Sequence, residues 1–151
     1  MNDFPRRVIL AAAGGLIASL ALAATAHAQD QARIKTPGVE QHLLLNAPLS
    51  QFPGKQITVF IGEFQPGAET PLHRHPATEI LFVLEGEGVM HIRGRDSREL
   101  EQGHALLVQP EAGEDSFVHQ AVNVSRTERM KALVIVMHDQ GMPPALPLNG
   151  R

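Results

Sequence analysis

The chain contains no cysteine, no tryptophan and no tyrosine among its 151 residues. Without cysteine there can be no disulfide, no thiolate metal site, no thiol nucleophile and no lipid-modified cysteine. Without tyrosine, any proton transfer that would use a phenol falls to histidine, glutamate or water. Aromatic residues make up only 4% against 43% hydrophobic residues, so a core must be assembled mainly from valine, leucine and isoleucine, which favours β-structure. There is also no long run of lysine or arginine, and the formal net charge is −3. Nucleic acid is therefore excluded as a partner, because binding it needs a concentrated basic surface that displaces counterions from phosphates. The length suits one domain and leaves no room for two ordinary cores.

The N-terminus reads as an address. Arg6 and Arg7 precede an apolar run from Val8 to Ala26, and Ala26-His27-Ala28 leads into polar Gln29. This is the three-part layout of a secretory signal peptide over residues 1–28, with cleavage after Ala28. The run is long enough to compete with a membrane anchor, but its Ala/Gly content and small-x-small end favour removal, so no stable membrane anchor is expected after processing. The paired arginines resemble a twin-arginine signal, with Pro5 where that signal carries serine or threonine. The expected location is therefore bacterial export, periplasmic or secreted. Loss of Asp3, Arg6 and Arg7 leaves 11 basic and 15 acidic residues and a net charge of −4.

Residues 29–54 are polar and proline-spaced, with one apolar run at Leu43 to Leu45, and read as an N-terminal arm carrying at most an edge strand. From residue 55 to 139 the pattern changes. Gln56 to Phe64, Glu79 to Glu85, Gly88 to Arg93, His104 to Val108, Phe117 to Val124 and Lys131 to His138 are short runs rich in Val, Ile, Leu and Phe. Turn chemistry separates them, as at Gln65-Pro66-Gly67 and Gly94-Arg95-Asp96-Ser97. Many short strands with glycine-rich turns predict an antiparallel sandwich or barrel with no helix. Residues 140–151 carry three prolines and read as an irregular, surface-lying tail.

The stretch from Gly67 to Gly86 carries the chemistry. In a strand, successive side chains alternate faces, so His73 and His75 share one face about 7 Å apart and Arg74 points away. Pro76 cannot donate to a sheet ladder, so the strand ends there, and the Pro76-Ala77-Thr78 corner can fold Glu79 back beside the histidines. Beyond the corner Glu79 shares a face with Leu81 and Val83, where a carboxylate is costly unless it is paired or binds a metal.

This stretch resembles the first motif of the cupin superfamily: Gly67, five residues, His73-Arg74-His75, three residues, Glu79, six residues, Gly86. The second motif is looser, with Gly103, Pro110, Gly113, His119 and Asn123 in its roles and the extra residues Glu114-Asp115-Ser116 before the histidine. The resemblance implies an all-β, antiparallel jelly-roll barrel holding one divalent transition metal ion (Mn, Fe, Ni, Cu or Zn) through His73, His75, Glu79 and His119. Such an ion would keep positions open for water, substrate or dioxygen. If His119 faces inward, period two puts Phe117, His119, Ala121 and Asn123 on the interior face, although Val118, Val122 and Val124 make the other face more hydrophobic.

Other histidines read differently: His91 faces solvent, His104 belongs to a turn, and His42 and His138 are assigned no role. Arg74 faces outward, Phe82 packs opposite Glu79, and Glu85 and Glu87 are solvated turn charges. The resemblance, closest in type to quercetin-dioxygenase-like cupins, implies a metal-dependent oxygenase acting on a small organic molecule, with Glu79 as ligand and proton acceptor. A non-catalytic binder of small molecules uses the same residues, and an isomerase or lyase is disfavoured by the missing tyrosine. A homodimer is compatible with the reading.

Overall fold

The structure, a computed structural model, describes residues 36–148; the signal-peptide reading lies outside them. Ten strands follow in order: β1 (Val39–Pro48), β2 (Lys55–Phe64), β3 (His73–His75), β4 (Thr78–Glu85), β5 (Glu87–Ile92), β6 (Arg98–Glu101), β7 (Ala105–Val108), β8 (Phe117–Val122), β9 (Met130–Asp139) and β10 (Leu146–Pro147). They form two five-stranded sheets, β1-β2-β9-β4-β7 and β10-β3-β8-β5-β6, antiparallel throughout. No described residue is helical, so the fold is the expected all-β one.

Alternation explains the core. Along β9 the buried positions are Met130, Ala132, Val134, Val136 and His138, with less buried residues between them. Leu81 and Val83 of β4 add to this face, while Met90, Ile92, Phe117 and Ala121 supply the opposing sheet. Each of the valine, leucine, isoleucine, methionine and phenylalanine side chains among them contributes roughly 1.5–3 kcal/mol when removed from water. The β4–β5 hairpin depends on glycine. Gly86 has φ +76°, and a Cβ there would lie 2.4 Å from the Arg129 carbonyl oxygen; no other residue fits without moving β9.

Three segments depart from the sequence reading. The arm contains a full ten-residue edge strand, β1, whose register shifts between Leu43 and Leu45; one of its faces meets solvent, so its mixed composition hid it. The segment Arg98-Glu99-Leu100-Glu101, absent from the runs picked out in the sequence, forms β6, in which only Leu100 points inward, at 2% exposure. The tail is not wholly irregular or surface-lying. Leu146 and Pro147 pair with Arg74 and His73, and Ala145 is buried. An edge position tolerates the proline, because its missing N–H leaves no central ladder bond broken.

Candidate metal centre

Pro76 and Ala77 carry the chain from one sheet to the other, so the histidines and the carboxylate of one short motif face each other from opposite walls. His73 and His75 lie on β3, where His73 pairs with His119 of β8 and His75 with Phe117. Glu79 lies on β4 opposite Val136 and Val108. All four side chains are buried, with exposures of 2–4%. One ligand atom from each of the three histidines lies within 4.8 Å of the others. Glu79 Oε2 is 3.2 Å from His75 Nε2 and 3.7 Å from His119 Nε2.

The surroundings aim these rings. His73 Nδ1 lies 2.8 Å from the Pro71 carbonyl oxygen, a contact that makes Nδ1 the protonated nitrogen and leaves Nε2 as the lone-pair donor. Phe117 stacks on His75 with centroids 5.3 Å apart and planes 13° from parallel. Both nitrogens of His75 and both of His119 are buried without a hydrogen-bond partner. Leaving buried polar atoms unpaired costs about 1–3 kcal/mol each, and here four of them gather beside a carboxylate. A divalent ion would take one lone pair from each ring, with His73 Nε2 and a Glu79 oxygen completing the set, so the residues present fit a metal.

Burial without an ion has opposite effects on the two ligand types. Desolvation drives His75 down to about 3, reinforced by the neighbouring His73. Desolvation likewise holds His119 well below the ordinary imidazole range and lowers His73. Glu79 is pushed up to about 8 by burial. At neutral pH the imidazoles are thus neutral lone-pair donors, and the one proton to displace sits on Glu79.

His119 points inward despite the more hydrophobic opposite face of its strand: Phe117, His119, Ala121 and Asn123 are buried and Val124 is 49% exposed. Asn123 accounts for part of this. Its Nδ2 donates to the Phe64, Gln65 and Glu128 carbonyls at 3.2, 3.0 and 2.8 Å, and its Oδ1 accepts from Ser125 N at 3.0 Å. The asparagine ties the end of β8 to two neighbouring segments and so holds the strand's face.

The profile of the Cupin domain family matches residues 60–136, just over half the chain. The chain belongs to this family. Among curated proteins the cupin is 29% identical over 86 residues to auxin-binding protein T85 of Nicotiana tabacum, a match covering 54% of this chain and 46% of that protein. The chain thus spans less than half of that relative's length. Among solved structures it resembles a DMSP lyase from Ruegeria pomeroyi, at 20% identity and TM-score 0.57 over 100% of this chain and 83% of the other. It also resembles oxalate oxidase in complex with the substrate analogue glycolate, at 24% identity and TM-score 0.51 over 76% and 57%. At these identities the structures testify to the fold alone.

Of the other residues singled out in the sequence, His91, His104, His42 and Arg74 are exposed. His91 Nδ1 lies 2.8 Å from Ser97 Oγ, and His104 Nδ1 lies 3.0 Å from Glu101 Oε2. Phe82 is 37% exposed, on the face opposite Glu79. Glu85 pairs with Arg129 and Lys131. His138, given no role, is 2% exposed and makes a 2.8 Å contact with Thr58 Oγ1. A cleft leads to the histidines, and its wall includes Gln41, Thr70, Pro144 and Ala145. Sequence reasoning missed all four. Only Gln41 left a trace, as a polar residue two positions from Val39 and Leu43 on the inward face of β1.

Proposed function

We propose that this cupin holds one divalent transition metal ion with His73, His75, Glu79 and His119 and acts as an exported metal-dependent oxygenase or related oxidoreductase on a small organic molecule. The observation that carries the reading is the set of buried, unpartnered imidazole nitrogens converging beside Glu79. An ion bound there would supply Lewis acidity toward a substrate oxygen and, if redox-active, a route for electrons.

The chain's own residues do the rest. Pro71 fixes the tautomer of His73, and Phe117 fixes the ring plane of His75. Glu79, beside two neutral imidazoles in a dry wall, is the one carboxyl among the described residues lining the cleft, and once a metal has displaced its proton it would serve as ligand and as acceptor of a substrate proton. Leu81, Val134 and Phe64 exclude water around it.

A second reading, metal-dependent capture without turnover, is supported by the auxin-binding relatives. A lyase finds support only in a fold neighbour. Two measurements decide. Metal analysis of the protein purified from its source cells should give one transition-metal ion per chain, with most of it lost in His73→Ala and His75→Ala; unchanged content in both variants overturns the site. Oxygen uptake by the loaded protein with a flavonol or other enediol supports the oxygenase, whereas tight binding with no product in air supports the binder.

The proposal extends to a homodimer through the outer face of the β1-β2-β9-β4-β7 sheet. Phe82, Leu107 and Met137 are 37%, 57% and 39% exposed there, and a contiguous apolar face of this kind marks an association surface. Sedimentation at micromolar concentration checks it, and a monomer at all concentrations refutes it.

A further inference from the structure

The inward face of β2 runs Phe60, Gly62, Phe64, and all three residues line the cleft. Gly62 is unusual in this company. It sits in mid-strand between Gln41 of β1 and Ala132 of β9, and its backbone has no left-handed φ to demand glycine. A Cβ placed on it would meet only one neighbour, Phe64 Cε2 at 3.2 Å. Glycine weakens a strand, and it is found inside strands where something else approaches the backbone closely. Apart from that ring edge, which a Cβ would press more tightly than ordinary contact allows, nothing in the fold fills the space over Gly62, and an occupant of the cleft can.

The remaining wall constrains that occupant. Among the described residues lining the cleft there is no lysine, arginine or aspartate, and the only ionisable groups are His73, His75, His119 and Glu79. Away from these four the lining is Val39, Phe60, Phe64, Leu81 and Val134, together with alanines, Pro144, Gln41 and Thr70. A charge carried into this part would lose its water without gaining a partner. The two polar side chains are neutral. Thr70 Oγ1 accepts from Ala121 N at 3.0 Å, which leaves its hydroxyl proton free to donate, and Gln41 brings an amide from the edge strand.

We infer that the site takes a small acid or hydroxy-carbonyl compound with one oxygen-bearing head at the metal ligands and an uncharged, mostly apolar tail lying over Gly62 between Phe60 and Phe64. This rests on the metal reading above and adds the class of substrate. Gly62 is the specificity-determining position, because the missing side chain is what makes room for the tail. Gln41 and Thr70 set the few polar contacts the tail can make. A second charged group in the tail is rejected, which separates this cleft from one built for dicarboxylates with an extended chain.

The test uses three probes with the same α-hydroxy-carboxylate head, titrated into the cobalt(II)-loaded protein and followed by the visible cobalt spectrum and by calorimetry. Mandelate, with a phenyl tail, should bind at least about tenfold more tightly than glycolate, which has no tail. Malate, whose tail ends in a second carboxylate, should bind no more tightly than glycolate. Gly62→Val should reduce mandelate to the level of glycolate while leaving cobalt content and glycolate affinity unchanged. Should the valine variant not fold, Gly62→Ala, whose added carbon meets only the Phe64 ring edge, should lose part of the preference. Malate matching or exceeding mandelate, or a mandelate preference that survives both substitutions, overturns the inference. Failure to take up cobalt sinks the metal reading and this inference with it, whereas uptake without a mandelate preference sinks this inference alone.

Discussion

Stripped of metal, the protein should be most stable near pH 6.5 and lose stability on both sides, because its buried site places a raised carboxyl beside lowered imidazoles. The Glu79 carboxyl moves from 4.5 to about 8 on folding. Between pH 6.5 and 8 the unfolded chain has an ionised Glu79 and the folded chain a protonated one, so the folded state binds one proton more and stability falls as pH rises. The slope is about 1.4 kcal/mol per pH unit, which amounts to roughly 2 kcal/mol across that window and then levels off. Below pH 6.5 the sign reverses. His75, lowered to about 3, and His73 and His119, also lowered, stay neutral in the folded state while their unfolded counterparts take up protons. Three imidazoles then outweigh one carboxyl, and stability falls steeply as pH drops. Urea titrations of the chelator-treated protein from pH 5 to 9 measure both limbs. Glu79→Gln should flatten the alkaline limb and leave the acid limb in place. The reasoning fails if stability goes on rising from pH 6.5 to 8, or if the glutamine variant keeps the alkaline decline.

Two further outcomes follow from other parts of the molecule. Asn123→Ala removes the side-chain hydrogen bonds that join the end of β8 to the Phe64, Gln65 and Glu128 carbonyls, so unfolding free energy should drop by about 2–4 kcal/mol, and a loss below about 0.5 kcal/mol counts against the knot. N-terminal sequencing of the exported protein should find Gln29 first; an intact Met1 retained in the membrane fraction defeats the export reading.

What the sequence disclosed and what it hid divide along a physical line. The β-strands of the interior were legible because Val, Ile, Leu and Phe recur there with period two, and the boundaries of β2, β4 and β9 lie within one residue of the runs read from composition. The meeting of His73, His75 and Glu79 was legible because it is local: three side chains within seven residues, with a proline corner to turn the chain. The edges were not. β1, β6 and β10 each pair on one side only, so half of their residues answer to solvent and their composition resembles that of a loop. Three of the four wall residues the sequence missed come from such places, Gln41 from β1 and Pro144 and Ala145 from the approach to β10; Thr70 comes from the loop between β2 and β3.

His119 shows why the remaining step needs a partner strand rather than a longer motif. On hydrophobicity alone β8 would have turned Val118, Val122 and Val124 inward. The strand's two neighbours decide otherwise: β3 presents His73 opposite His119, and β5 presents Ile92 opposite His119 and Met90 opposite Ala121. A one-residue slip would send His119 and Asn123 to solvent together and leave the Phe64, Gln65 and Glu128 carbonyls without their shared donor. The face of β8 is thus held from both ends, by cross-strand register at the histidine and by backbone capture at the asparagine. The valines this leaves on the other face are half-buried or exposed, so the strand gives up apolar burial to bring a third imidazole into the cluster.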